Sequence, residues 1–262
     1  MSAAAVCALL SFDVEEFDAP LDRGVDVPPE AQLRIGGAGF ARLLDLLDEM
    51  DVTATLFITA NLALAHPALV KRAALRHEVG SHGFWHRTLE EADLAASRRA
   101  LRELSGQEVL GFRRARLQPT ETGAILAAGY RWDSSENPIW LPGRYNNLRK
   151  PRRLYRRGEL VELPVSAAPI TRFPLFWLAM KNAPMALIRA ASAACLRHDG
   201  YLNVFWHPWE FLDLSDSGLP RYMRSPDGEA MCERLRRYVA WLRPRASFQS
   251  ISDFLRSRGH LR

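Results

Sequence analysis

Cysteine is scarce in this sequence of 262 residues, which contains three cysteines. Cys7, Cys195 and Cys232 are widely spaced and form no CxxC pair, so neither a disulfide framework nor a thiolate zinc site is indicated. The chain also lacks a run of about 18 uncharged apolar residues, which argues against a membrane-spanning helix. Its apolar opening, Met1 to Phe12, lacks the basic start and small-residue cleavage site of an export signal. We therefore expect a cytoplasmic protein.

Neither sign of charge dominates the composition. The formal net charge is +5, and hydrophobic residues make up 48% of the chain. This content can fill one large core, and no internal repeat or low-complexity tract interrupts the sequence, so we predict a single domain over residues 1–262. The arginines near residue 150 lack the interleaved aromatics of a recognition motif. We expect no nucleic-acid partner, and no obligate protein partner is evident.

Short apolar segments alternate with amphipathic segments along the chain. The predicted strands are Val6–Phe12, Ala54–Thr59, Val79–Gly80, Val109–Phe112, Leu160–Val165, Leu202–Trp206 and Ser247–Ser250, and the predicted helices are Gly39–Met50, Pro67–Leu75, Leu89–Ser105, Thr120–Ala128 and Gly228–Leu242. Such alternation is typical of a parallel sheet. About seven repeats favour an α/β fold with a distorted (β/α)7-like barrel, whose functional groups would follow the carboxyl ends of the strands. Two irregular stretches, Asp18–Gly37 and the arginine-rich Pro138–Arg157, are predicted as long loops.

The segment from Ser81 to His86 contains two histidines four residues apart. If this segment is a helical turn, His82 and His86 project from one side and can bind the same metal ion. Isolated histidine pairs of this spacing also occur on surfaces and in cores. The position of this pair just after a predicted strand favours the metal site.

Carboxylates follow the first predicted strand. The period-two geometry of a strand points Asp13 and Glu15 to the same side, where they repel each other unless a cation lies beside them. A metal held by Glu15, His82 and His86 would relieve this repulsion and leave Asp13 as a base, which is the three-ligand pattern of catalytic zinc. A solvated acidic loop is the alternative interpretation. Glu16 and Asp18 remain alternative ligands.

His207 ends a late predicted strand of the same barrel. A single histidine in such a place usually has a structural role. As a general acid opposite Asp13, however, it would complete an acid and base pair for amide cleavage by protonating the departing amine.

Ordered blocks of residues resemble one family over most of the chain, the metal-dependent polysaccharide deacetylases of the nodulation-protein type (carbohydrate esterase family four). The blocks are the strand end at Asp13, Leu43–Leu47 followed by Val52–Phe57, His77–His82 with His86, Gly111–Arg113, Tyr130–Ser135, Glu162–Pro164, and Phe205–Phe211. The resemblance implies a distorted barrel, one divalent ion of the Zn²⁺ type, and hydrolysis of an N-acyl amino sugar. It also implies that Asp13 is the base, that Arg113 orients it, and that His207 is the acid with Asp133 as a candidate partner.

The chain departs from the common family pattern at two blocks. Val14 stands where a second aspartate usually follows Asp13, so the sequence fits a branch with an acid-x-acid arrangement in which Glu15 is the ligand. The block Gly111–Arg113 lacks the usual proline after its arginine and continues with extra cationic residues such as Arg116. These cations favour an anionic substrate. We expect Trp85, Arg116 and Arg144 to contact it.

The segment at residues 170–197 combines aromatic and aliphatic residues with flanking cations. It suits a helix lying in a membrane interface, and equally a helix pair that covers the barrel. Together with the arginine-rich stretch, the first interpretation favours an amino sugar linked to polyprenyl phosphate at the inner membrane face, the substrate type of a deformylase in this family. The alternatives are a cyclic-imide or allantoin-type amidohydrolase of the same family and a carbohydrate-binding relative that has lost catalysis.

Overall fold

The strands of the computed structural model are short, except for the first and the tenth. The structure describes residues 6–143 and 145–261, so the predicted substrate contact of Arg144 falls outside the described residues. The strands are β1 Cys7–Val14, β2 Thr55–Ile58, β3 Glu78–Ser81, β4 Gly111–Phe112, β5 Trp132–Asp133, β6 Trp140–Leu141, β7 Tyr145–Asn146, β8 Tyr155–Arg157, β9 Leu160–Glu162, β10 Tyr201–Trp206 and β11 Ser247–Phe248.

Helices separate most of these strands. They are α1 Pro29–Met50, α2 Ala60–Ala65, α3 Pro67–Ala74, α4 Glu91–Ser105, α5 Thr122–Ala127, α6 Trp177–Asn182, α7 Met185–Asp199, α8 Arg221–Arg224, α9 Gly228–Leu242 and α10 Ile251–Ser257. Short 3₁₀ turns lie at Ala19–Arg23, Ala115–Leu117 and Pro208–Phe211.

The main sheet curls into a barrel-like shape. Parallel pairing runs in the order β10, β1, β2, β3, β4, β5 and β9, and β8 adds an antiparallel edge. Asn203 of β10 bridges the gap between β10 and the segment that follows β9. Its backbone C=O accepts from the Ser166 N–H at 2.8 Å, and its side-chain amide donates to the Pro164 C=O at 3.1 Å. The predicted distorted (β/α)7 barrel is therefore confirmed.

Both faces of β1 are buried, and its side chains alternate between two environments. Leu10 and Phe12 pack outward in the layer shared with the surrounding helices, whereas Leu9 packs inward with the residues that fill the barrel. Since side chains of one strand alternate between its two faces, Asp13 shares the inward side with Leu9. The hydrophobic pattern of this strand thus fixes which carboxylate enters the barrel.

The sequence prediction missed one parallel strand and misplaced another. β5 was not predicted, because two residues are too short to show a period. In the structure, the predicted strand Ser247–Ser250 is shorter and corresponds to β11. This strand pairs with the first residues of β1 and lies outside the main strand order.

Helix α1 begins ten residues earlier than the predicted Gly39, inside a stretch predicted as loop. Pro29 occupies its first turn, where a missing N–H costs nothing. Its glycines serve close packing: a Cβ on Gly36 would lie 2.5 Å from the Glu15 carbonyl oxygen, and a Cβ on Gly39 would lie 2.9 Å from the backbone of Pro208. Glycine there lets the helix approach the ends of two strands, and the prediction of a loop up to Gly37 was wrong.

The proposed membrane-interface segment at 170–197 folds as the helix pair α6 and α7. Phe176, Trp177 and Met180 are buried, so the aromatic and apolar side chains of α6 face the protein. Lys181, one of the cations of this segment, is also buried at 1% exposure. Over the described residues, no helix combines the length and apolarity needed to cross a bilayer. The packing favours the second interpretation, a helix pair that covers the barrel.

His77, just before β3, should make the protein sensitive to acid. Burial lowers the pKa of this imidazole from 6.5 to about 4, although the charge of Asp48 opposes the shift. The unfolded chain therefore binds more protons than the folded one as the pH falls from about 6.5 to about 4, which removes roughly 3 kcal/mol of stability. Urea unfolding of His77→Gln should lack this loss relative to the wild type. Parallel pH profiles for the two proteins would contradict the assignment.

Candidate active site

Most of the predicted site residues lie at one edge of the barrel. Glu15 directly follows β1, His82 follows β3, Arg113 follows β4 and His207 follows β10. Asp13 is the second-last residue of β1. Because parallel strands direct their carboxyl ends to one edge, these separate segments of sequence converge there.

Glu15, His82 and His86 form a buried cluster of potential metal ligands. One ligand atom from each lies within 4.8 Å of the others. Glu15 Oε2 is 3.3 Å from His82 Nε2 and 2.9 Å from His86 Nε2. Within the described part of the chain, Glu15 Oε2 and His82 Nε2 are buried without a hydrogen bond. Orphaned ligand atoms that converge in this way fit a divalent ion, and two imidazole nitrogens with one carboxylate suit zinc.

The two histidines reach this cluster from a loop, so the predicted helical turn is wrong. Gly83 has a φ of +92°, which breaks any helix between the two histidines. The rings of His82 and His86 nevertheless stack, with their centroids 5.7 Å apart.

Hydrogen bonds on the far sides of the rings set their orientation. His82 Nδ1 lies 2.8 Å from the Arg113 carbonyl oxygen, and His86 Nδ1 lies 2.7 Å from Asp18 Oδ1. With Nδ1 as the donor, each ring presents Nε2 as an acceptor toward the cluster, which is the usual outer support of a metal-binding histidine. The Trp209 indole N–H supports Glu15 in the same way, at 3.2 Å from Oε1. The sequence indicated neither the support from Asp18 nor that from Trp209.

The other acidic residues after β1 have different partners. Glu16 accepts from the Thr59 hydroxyl at 2.7 Å and from the Asn61 amide at 2.6 Å. Because Asp18 is engaged with His86, the geometry favours Glu15 among the three candidate ligands.

Electrostatics in the cluster favour a bound cation. Burial opposes ionisation of Glu15, but His86 and His207 hold the pKa of this carboxyl well below its usual range. Burial likewise opposes protonation of His86, whose pKa the charges of Glu15 and Asp18 nevertheless raise to about 10. The carboxylates thus attract positive charge to this place, and a divalent ion can provide it.

Arg113 holds Asp13 in a fixed position. Its Nη1 donates to Asp13 Oδ1 at 2.8 Å, and the guanidinium also bonds Ser11 and Ser134. The side chain is fully buried, with its Cζ 4.1 Å from the centre of the Phe57 ring. One hydrogen bond joins Arg113 to Asp13. The second oxygen of this carboxylate, Oδ2, lies 3.9 Å from His82 Nε2.

His207 lies in an aromatic enclosure on the other side of Glu15. Its ring stacks on Trp209 at 4.8 Å and meets Trp177 edge-on at 4.9 Å. Its Nε2 is 3.9 Å from Glu15 Oε1. Burial opposes protonation, but the charges of Glu15 and Glu210 raise its pKa.

The partner of His207 is Glu210, and the expected pairing with Asp133 was wrong. Glu210 Oε1 accepts from the His207 backbone N–H at 2.8 Å and lies 3.4 Å from Nδ1. Asp133 instead binds Arg157 at 2.5 Å. The spacing of His207 and Glu210, three residues apart around a proline, is the one sequence signal that could have indicated this pair.

A larger cavity of about 420 Å³ adjoins the active-site cavity, and the two share Asp22, Arg116 and Leu117. The expected excess of cations is not found along its described walls, because acids pair with the bases. The pairs are Arg116 with Asp22, Lys150 with Glu136, and Arg157 with Asp133. Trp85 is 45% exposed and lines a different cavity, beside His86.

Comparisons with known proteins match part of the sequence to one family model and the whole fold to several solved structures. The model of the polysaccharide deacetylase family matches residues 35–123. A Mycobacterium smegmatis structure described as a polysaccharide deacetylase is 21% identical, with a TM-score of 0.63 over 100% of this chain and 94% of that chain. A Pseudomonas aeruginosa structure of the same description is 18% identical, with a TM-score of 0.61 over 97% and 91%. The Puue allantoinase structure is also 18% identical, with a TM-score of 0.61 over 98% and 91%. At these identities the structures establish a shared fold, and no curated protein matches the chain.

Proposed function

We propose that the chain is a member of the polysaccharide deacetylase family, whose model matches residues 35–123, and that it removes the N-acyl group from an amino sugar with the aid of one divalent ion. The observation that carries this proposal is the position of Asp13 and His207 around the Glu15, His82 and His86 cluster. A base and an acid on either side of a cation site are the groups that amide hydrolysis requires.

In this proposal each residue has one task. Glu15, His82 and His86 would hold the ion, which we propose is Zn²⁺, and when bound it would supply Lewis acidity toward the amide carbonyl. Asp13 accepts the proton of the attacking water, while Arg113 keeps this carboxylate ionised and aimed. His207 donates a proton to the amine as the C–N bond breaks. The products are a free amino sugar and a carboxylic acid.

The narrower hypothesis, a phosphorylated and lipid-linked substrate, has little support in the contacts. The cations of the adjoining cavity are paired with carboxylates, and the apolar side chains of α6 face the protein. Arg116 remains the candidate for binding a substrate anion. Arg116 and Leu117 have φ values of 59° and 53°, and such strain is typically kept at functional sites.

Mass spectrometry of acyl loss tests the proposal directly. Purified protein loaded with Zn²⁺ would be incubated with N-acetyl and N-formyl amino sugars, both free and linked to polyprenyl phosphate, and with allantoin. We expect acyl loss from at least one amino sugar, abolished by a chelator. Loss confined to the lipid-linked compounds would support the narrower hypothesis. Hydrolysis of allantoin alone, or of none of these compounds, would contradict the proposed function.

A further inference from the structure

Lys181, near the end of α6, is a lysine buried in the protein core. Its side chain is 0% exposed. An ammonium group is taken out of water only at a large free-energy cost, unless an opposite charge and hydrogen bonds compensate it. The contacts of Lys181 therefore indicate what it is retained for.

Two groups compensate the charge of Lys181. Its Nζ donates to the Pro226 carbonyl oxygen at 2.6 Å and lies 3.4 Å from Glu210 Oε2. The other oxygen of the same carboxylate, Oε1, is the one that accepts from the His207 backbone and faces His207 Nδ1. Glu210 is itself 0% exposed, so its carboxylate bridges a buried lysine and the candidate acid.

We propose that Lys181 is a positioning residue for His207 and acts through Glu210. The inference rests on the proposed function, in which His207 protonates the departing amine. Lys181 neutralises the buried carboxylate and fixes its rotation, so that Oε1 stays turned toward Nδ1. A carboxylate in this position holds the proton on Nδ1 and directs Nε2 toward the substrate side, where Glu15 lies. The stacked Trp209 ring restricts the remaining rotation of the imidazole.

A double-mutant cycle tests whether Lys181 acts through Glu210. Lys181→Met should lower kcat for N-deacylation about 10- to 100-fold, a fraction of what a general acid contributes, with KM and metal content unchanged. In the Glu210→Gln background the same substitution should have no further effect, because no buried carboxylate is left to orient. Lys71→Met, at an exposed position of α3, is the matched control and should behave as the wild type. An unchanged kcat, or the same fold loss in both backgrounds, would overturn the proposal.

A second measurement uses the wild-type protein, so it does not depend on whether a variant folds. In the metal-loaded wild type labelled with ¹⁵N-histidine, the His207 Nδ1 resonance should show a bound proton. An unprotonated Nδ1 would overturn the proposal, even if the kinetic cycle agreed with it. Because this spectrum is recorded without substrate, it also separates the two inferences. A protein that fails to deacylate any amino sugar refutes the proposed function, whereas the spectrum tests whether His207 Nδ1 carries the proton that the proposed role of Glu210 and Lys181 requires.

Discussion

Asp13→Asn should lose nearly all N-deacylase turnover and keep its metal ion. The substitution preserves shape, and the amide oxygen of asparagine can still accept the hydrogen bond from Arg113. What it removes is the ability to accept a proton, and general-base catalysis contributes about 10²- to 10⁴-fold. The metal should remain because Glu15, His82 and His86 are unchanged. We therefore expect a loss of kcat of that size, measured at saturating substrate.

The matched control is Asp45→Asn, which neutralises a carboxylate on the exposed face of α1 that pairs with Arg72. It should retain wild-type turnover. Metal content by mass spectrometry and circular dichroism of both variants would separate a catalytic loss from a folding loss. Full turnover in Asp13→Asn would place the base elsewhere. Glu16 is then a poor substitute, because the Thr59 hydroxyl and the Asn61 amide already bind its carboxylate.

The centre of the candidate site was predictable from local patterns. The apolar run before Asp13 identifies a buried strand, and the period of two in such a strand places Asp13 and Glu15 on the same side. The structure agrees, since Asp13 Oδ2 and Glu15 Oε2 both lie within 4.0 Å of His82 Nε2, at 3.9 and 3.3 Å. The strand end at Trp206 likewise predicted the place of His207. These inferences use only neighbours in sequence and the rule that parallel strands end at one edge, whereas the role of Arg113 was implied by the family resemblance.

The supporting residues were not predictable, because their partners are distant in sequence. Asp18 reaches His86 across 68 positions, and Lys181 meets Glu210 through the packing of α6 against the end of β10. For the same reason, the sequence left two interpretations of residues 170–197 open. Composition alone cannot tell whether an aromatic segment with lysine faces a lipid surface or the inside of the protein. The buried contacts of Trp177 and Lys181 favour the inside of the protein.

The combined substitution His82→Ala and His86→Ala should abolish binding of the divalent ion. The purified wild type should carry about one ion per chain, as a site with three protein ligands does. Removing both imidazoles leaves Glu15 as the one remaining ligand of the three, and a single carboxylate binds the ion too weakly to retain it in metal-free buffer. Turnover should fall to background as well, because the ion provides the Lewis acidity on which the proposed reaction depends.

The matched control for this variant is His198→Ala, which removes an exposed imidazole near the end of α7. It should keep the full metal content and activity. The double variant should also be less stable. In the metal-free wild type, Glu15 and Asp18 raise the pKa of His86 to about 10, so a protonated His86 balances their charge. Without His86, Glu15 is left buried without a cation. The variant is therefore expected to unfold at lower temperature than the metal-free wild type. Full metal content in the double variant would contradict the assignment of both ligands. Metal loss without destabilisation would instead show that the protein relaxes around Glu15, and the ligands would stand.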